Sequence, residues 1–167
     1  MEAQKLTTLF ITGLLALTIG SVLIQSLLKK LKPAAGELNL SISYAILTGG
    51  LFLSYGLILS KTIQLLITTL EVLYRSGNEH LTWESIKSSS VFIGCGILWF
   101  IAGYILSTFL LDIVIGKHNT KDEIEKNNYP YFIARCSMLI TFVIIFNPIL
   151  ERFLSLFIPV LEVGIYH

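Results

Sequence analysis

The sequence predicts an all-α integral membrane protein. Its four transmembrane helices are expected as two tandem parallel helical hairpins, each with an amphipathic C-terminal extension. Three observations lead there. The 167 residues are 54% hydrophobic and only 14% charged, with a mean hydropathy of +0.76, about half the charge of an ordinary soluble domain. Apolar runs at 6–28, 42–60, 90–115 and 131–147 each approach the roughly 20 helical residues that cross a hydrocarbon core about 30 Å thick. The two halves of the chain also align with one another.

The first run, Leu6–Leu28, follows only Glu2 and Lys5 and leads into Lys29-Lys30-Leu31-Lys32-Pro33 rather than a small-residue cleavage site, as an uncleaved anchor does. Gly13 and Gly20 lie on one face of it, where a neighbouring helix can come close. Basic residues and a proline then stop the helix at an interface. The three lysines of this short loop assign it to the cytoplasm and the N-terminus to the outside.

The second run continues past its apolar half to Tyr74, about 50 Å at 1.5 Å per residue, which is more than one crossing requires. Lys61, Gln64, Thr68, Glu71 and Arg75 recur three or four apart and form one polar stripe along this extension. Residues 76–90 read as an extracytoplasmic loop in which Trp83 is an interfacial anchor and Thr82 a start signal for a short surface helix. They divide a first repeat, 1–75, from a second, 91–167.

In the second repeat, Val91–Ile115 is the third crossing, with Asp112 in its last turn at the interface. The polar stretch Lys117–Pro130 is the second cytoplasmic connection. Its Asp122, Glu123, Glu125 and Lys126 make it the candidate cytoplasmic contact loop. The fourth crossing begins after Pro130, with Arg135 expected to snorkel to the cytoplasmic surface. Asn147-Pro148 predicts a kink or break, since proline removes a backbone hydrogen bond. A second amphipathic piece follows, with Glu151, Arg152, Ser155 and Glu162 as its polar positions.

The internal alignment has two offsets. At 83 residues Leu15 falls on Leu98, Gly13 on Gly96 and Gly20 on Gly103; at 91, Lys61 falls on Arg152, Gln64 on Ser155 and Glu71 on Glu162. The difference places an insertion of eight residues in the second connection. Each unit crosses twice, so the units run parallel and both termini lie outside the cytoplasm.

Pro33-Ala-Ala-Gly-Glu37-Leu-Asn39, and Asp122-Glu-Ile-Glu-Lys-Asn-Asn128 before the counterpart helix, resemble the paired hairpin signatures of the YjfL-like inner-membrane proteins, the domain-of-unknown-function 350 family. The resemblance implies two tandem two-helix repeats in the inner (cytoplasmic) membrane of a bacterium, and a role in envelope stress or membrane maintenance. Tyr129-Pro130-Tyr131 departs from the family pattern, which has small residues there. The family carries no established catalytic residues, so the resemblance transfers none.

Composition and spacing exclude several function classes. A net charge of +1 gives no broad basic surface for nucleic acid. Cys95 and Cys136 stand apart in apolar runs, and His80, His118 and His167 lie in loops or at the terminus, so neither a metal site nor a cofactor is expected. Ser21, Ser26, Ser54, Ser107 and Ser137 have no base beside them, and no catalytic residue is expected.

The repeated ionisable positions Lys61, Gln64, Glu71, Arg152, Ser155 and Glu162 are the candidate functional residues. They fit a non-enzymatic scaffold subunit of a homo-oligomeric or mixed membrane assembly. The alternative is a small channel or transporter subunit with these stripes lining an aqueous path. Gly13, Gly20, Gly49, Gly50, Gly56, Gly94, Gly96 and Gly103 are expected at helix contacts.

Overall fold

The computed structural model describes residues 2–29, 31, 41–75 and 81–159. Its helices are α1 (Glu2–Lys29), α2 (Ile42–Arg75), α3 (Leu81–Ile115), the short α4 (Thr120–Glu125) and α5 (Tyr129–Ser155). The four long helices are each apolar enough, over a sufficient length, to cross a membrane, so the chain is a multi-pass membrane protein. Large apolar side chains face outward along them, Phe10 72% exposed, Leu98 67% and Ile113 65%, as a surface solvated by lipid tails requires.

α2 is the central helix, and glycines set how closely its neighbours approach. Gly20 of α1 lies under the Tyr55 ring and Gly13 against Ile63, so α1 runs antiparallel to α2. Tyr55 then donates its hydroxyl to the Ala16 carbonyl at 2.7 Å and sets its ring edge-on to Phe100 of α3, 5.5 Å between centroids. One buried side chain thereby ties three helices, its single polar atom satisfied as hydrocarbon demands.

Gly96 of α3 seats the Thr62 hydroxyl, while Gly50 of α2 receives Cys136 of α5 and Gly103 of α3 receives Phe142. α5 consequently runs parallel to α2 and antiparallel to α3. Cys136 is a small packing residue here, its thiol 3.5 Å from the Ile46 carbonyl.

Gly13, Gly20, Gly50, Gly96 and Gly103 are therefore at helix contacts as expected. A methyl group at Gly49, Gly56 or Gly94 would meet nothing within 4 Å, so these three lie away from the bundle's own contacts.

Three expectations change at the element level. The loop expected at 76–90 is helix from Leu81 onward, because its serines turn inward: Ser85 and Ser89 are buried, and Ser85 and Ser90 bond back to the carbonyls of Leu81 and Ile86. Residues 76–80 lie outside the described residues.

The break expected at Asn147-Pro148 is absent: α5 continues through Pro148 to Ser155. Burial of Asn147, Leu150 and Leu154 holds the last turns in place although Pro148 supplies no N–H to the turn before it. The second half of α2, finally, stays in the bundle, with Leu66, Thr69, Leu70, Leu73 and Tyr74 buried. Tyr74, near its end, packs toward α1, whose Lys5 ammonium lies 5.6 Å from the ring centre.

Candidate functional site

Polar chemistry concentrates in two places. The first is the end carrying α4. Asn119 caps that helix, accepting from the Lys121 N–H at 3.1 Å, and its second turn buries Glu123 and Ile124. The Glu123 carboxylate accepts from the Asn128 amide at 2.5 Å and meets His118 Nδ1 at 3.1 Å, with the His118 ring tilted over Tyr131. These two hydrogen bonds, that of Asn128 foremost, hold the carboxyl below the usual carboxylate range.

Glu123 is therefore a structural acid inside the stretch rather than a surface contact. That corrects the expectation for one of the four proposed loop residues; Asp122, Glu125 and Lys126 are exposed, and Glu125 lies 4.0 Å from Lys121.

The stretch also closes the start of α2. Asn127, in the left-handed region at φ 51°, accepts through its side-chain oxygen from the Ser43 N–H at 3.2 Å, the Ser43 hydroxyl at 3.1 Å and the Ser41 hydroxyl at 3.0 Å. Asn127 thus caps a helix 84 positions earlier in the chain, satisfying donors that the first turn of α2 leaves open.

Arg135 lies a little deeper and corrects a second expectation. It does not snorkel: only 5% exposed, it turns toward α3. Nη1 donates to the Thr120 hydroxyl at 2.7 Å, and Nη2 donates to the Tyr104 and Thr108 hydroxyls at 3.0 and 3.2 Å. The guanidinium also lies 5.4 Å from the Tyr104 ring centre. Among the described residues no carboxylate pairs with it, and Nε has no partner. Neutral hydroxyls from α3 and α4 let one cation be held inside the bundle. Tyr104 and Thr108 are four apart on α3, so a polar pair facing the lone basic residue of the fourth apolar run was the signal that could have found this cluster.

The second place is the flank of α2 and α5. Lys61 of α2 reaches Glu151 of α5 at 3.6 Å, with side chains 40% and 47% exposed, so the pair lies on the outside of the bundle. Lys61 lies between Tyr55 and Ile63, which pack on Gly20 and Gly13 of α1. That level is about 13 Å inside the apolar run that begins at Leu6. On α5, Arg135 and Glu151 are sixteen residues apart, about 24 Å, less than the roughly 30 Å of hydrocarbon. A bilayer that covers the helix therefore takes in at least one of these charges.

The stripe positions Gln64, Thr68 and Glu71 continue from Lys61, all exposed, and Arg152 and Ser155 are exposed on α5. The partner of Lys61 is Glu151 and not a residue of the repeated stripe; Glu162 lies outside the described residues.

Among the described residues no three His, Cys, Asp or Glu side chains converge. No family model, curated protein or solved structure matches this chain, and the first of the two motifs that carry the family resemblance, Pro33–Asn39, lies outside the described residues.

Proposed function

We propose that this chain is a non-enzymatic subunit of an oligomeric membrane assembly, associating through the α2–α5 flank. The observation that carries the reading is the half-exposed Lys61–Glu151 pair, whose lysine lies level with the apolar run of α1. Charges within a membrane almost always face a protein neighbour or water, because hydrocarbon neither solvates them nor supplies hydrogen bonds. A partner on this flank removes that cost for Lys61, Glu151 and the exposed Gln64 together.

Two tandem hairpins, α1–α2 and α3–α5, are the repeat in this reading. The lysines of the connections 29–41 and 117–130 support placing both in the cytoplasm, with both termini outside. The resemblance to the YjfL-like family supports a bacterial inner membrane and a role in envelope maintenance or stress.

Mass spectrometry of the protein released from its membrane in mild detergent tests this reading. A complex of two or more subunits is expected, and a strictly monodisperse monomer contradicts it. The second reading is a channel or transporter subunit whose charged flank lines water between copies. It predicts an ion flux in liposomes that Lys61→Ala and Glu71→Ala change, and the exposure of Lys61, Gln64 and Glu71 along one helix favours it over any enzymatic role.

A further inference from the structure

We infer that the cleft between the end of α1 and the start of α2 binds the headgroup of an anionic phospholipid. The inference goes beyond the reading above and does not depend on it. Because the two helices are antiparallel, α2 begins where α1 ends. Val22, Gln25, Ser26 and Lys29 of α1 line a cleft of about 610 Å³ there together with Tyr44 of α2. Small-molecule sites occupy about 300–1,000 Å³.

Three observations carry the assignment. The first is depth. Ser26 lies twenty residues past Leu6, about 30 Å along the helix, so an apolar run that starts at one face of the hydrocarbon reaches the other beside this cleft. Lys29, one turn further, is level with the phosphates of that leaflet.

The second is the set of donors. Thr8, Thr18 and Ser21 of α1 return their hydroxyls to carbonyls of their own helix. Ser26 does not, and among the described residues the Gln25 amide, the Lys29 ammonium and the Tyr44 hydroxyl have no partner either. No acid lines the cleft. Four side chains that can donate, one of them cationic, thus share one space unpaired. A phosphodiester, which carries a negative charge and only acceptors, meets them.

The third is the surface below the cleft. Leu15, Ile19 and Val22 are 51%, 45% and 61% exposed and precede Ser26 and Lys29 at helical spacing, so one apolar stripe leads from the hydrocarbon to the donors. Acyl chains lie along this stripe while the headgroup fills the cleft, an arrangement that a free phosphate cannot use. Basic clefts between membrane helices bind anionic headgroups in this way, and Lys30 and Lys32 follow in the sequence.

Native mass spectrometry of the full chain, stripped of lipid in a neutral detergent and titrated with phosphatidylglycerol or phosphatidylcholine, tests the site. One phosphatidylglycerol is expected to bind about tenfold more tightly than phosphatidylcholine. Lys29→Ala, which removes the cation, and Ser26→Phe, which fills the cleft and keeps the cation, should each weaken that binding about tenfold. Both positions are exposed, so the bundle tolerates the changes. Lys117→Ala, at an exposed lysine of the other connection, should leave binding unchanged.

Equal affinity for the two lipids, unchanged binding in either cleft variant, or an equal loss in Lys117→Ala overturns the inference. Displacement of the lipid by equimolar glycerol 3-phosphate overturns it as well, because the ligand would then be a soluble phosphate.

Discussion

Replacing Asn127 by alanine isolates what holds the α4 end of the bundle to α2. The side-chain oxygen accepts from three donors, Ser43 N–H, Ser43 Oγ and Ser41 Oγ. Loss of the cap on the first turn of α2 costs about 1 kcal/mol. Ser43 is fully buried, so stranding its hydroxyl adds about 1 kcal/mol. Alanine at φ 51° adds about 1 kcal/mol more for the left-handed backbone.

Asn127→Ala is therefore expected to lose about 3 kcal/mol on this sum. Asn127→Gly, which adopts that backbone freely, should lose about 2 kcal/mol. Asn127→Asp keeps an acceptor at a helix N-terminus and should stay near the parent. Reversible unfolding in mixed micelles of increasing dodecyl sulfate content, followed by the fluorescence of Trp83 and Trp99, measures all three. An alanine variant within about 0.5 kcal/mol of the parent would refute the capping role.

Further expectations concern packing and pH. Gly50→Ala drives a methyl group into Cys136 and should cost about 1–3 kcal/mol by the same assay, partly recovered when Cys136→Ala is added. Gly56→Ala meets nothing within 4 Å and should leave unfolding unchanged or raise stability by up to about 1 kcal/mol through helix propensity.

Glu123 is held below its ordinary value of 4.5 by Asn128 and His118, so its contribution is complete above that value and is lost as pH falls through the lowered one. Acid titration of helicity should show this loss in the parent. Glu123→Gln should be less stable at neutral pH and flatter below pH 4.5, and parallel profiles would count against the carboxylate's role.

The crossings were legible in the sequence because apolar runs of the required length have few other uses. Element ends were less so. Residues 81–90 read as loop by polarity, yet Ser85 fits between helices because a serine in a helix can bond its own backbone, here the Leu81 carbonyl, and shed its polarity. Pro148 read as a break, but burial on either side outweighs one lost hydrogen bond.

At the candidate sites, the stripe Lys61–Gln64–Thr68–Glu71 was visible from spacing alone, whereas its ion-pair partner Glu151 depended on the parallel packing of α2 and α5. Arg135 and Glu123 were misplaced for one reason: charge in a sequence signals solvent, and only the fold shows that Tyr104, Thr108 and Thr120 surround one while His118 and Asn128 hold the other.

The central claim is that protein, and neither lipid nor water, covers the α2–α5 flank. A spin label at Gln64→Cys, in the Cys95→Ala/Cys136→Ala chain reconstituted in bilayers, reports this through its collision rates with oxygen, which concentrates in lipid, and with a water-soluble nickel chelate. Compared with a label at Leu98→Cys, the account predicts low rates for both. A high oxygen rate would place Gln64 in lipid, a high nickel rate would place it on an aqueous path, and either would contradict the claim.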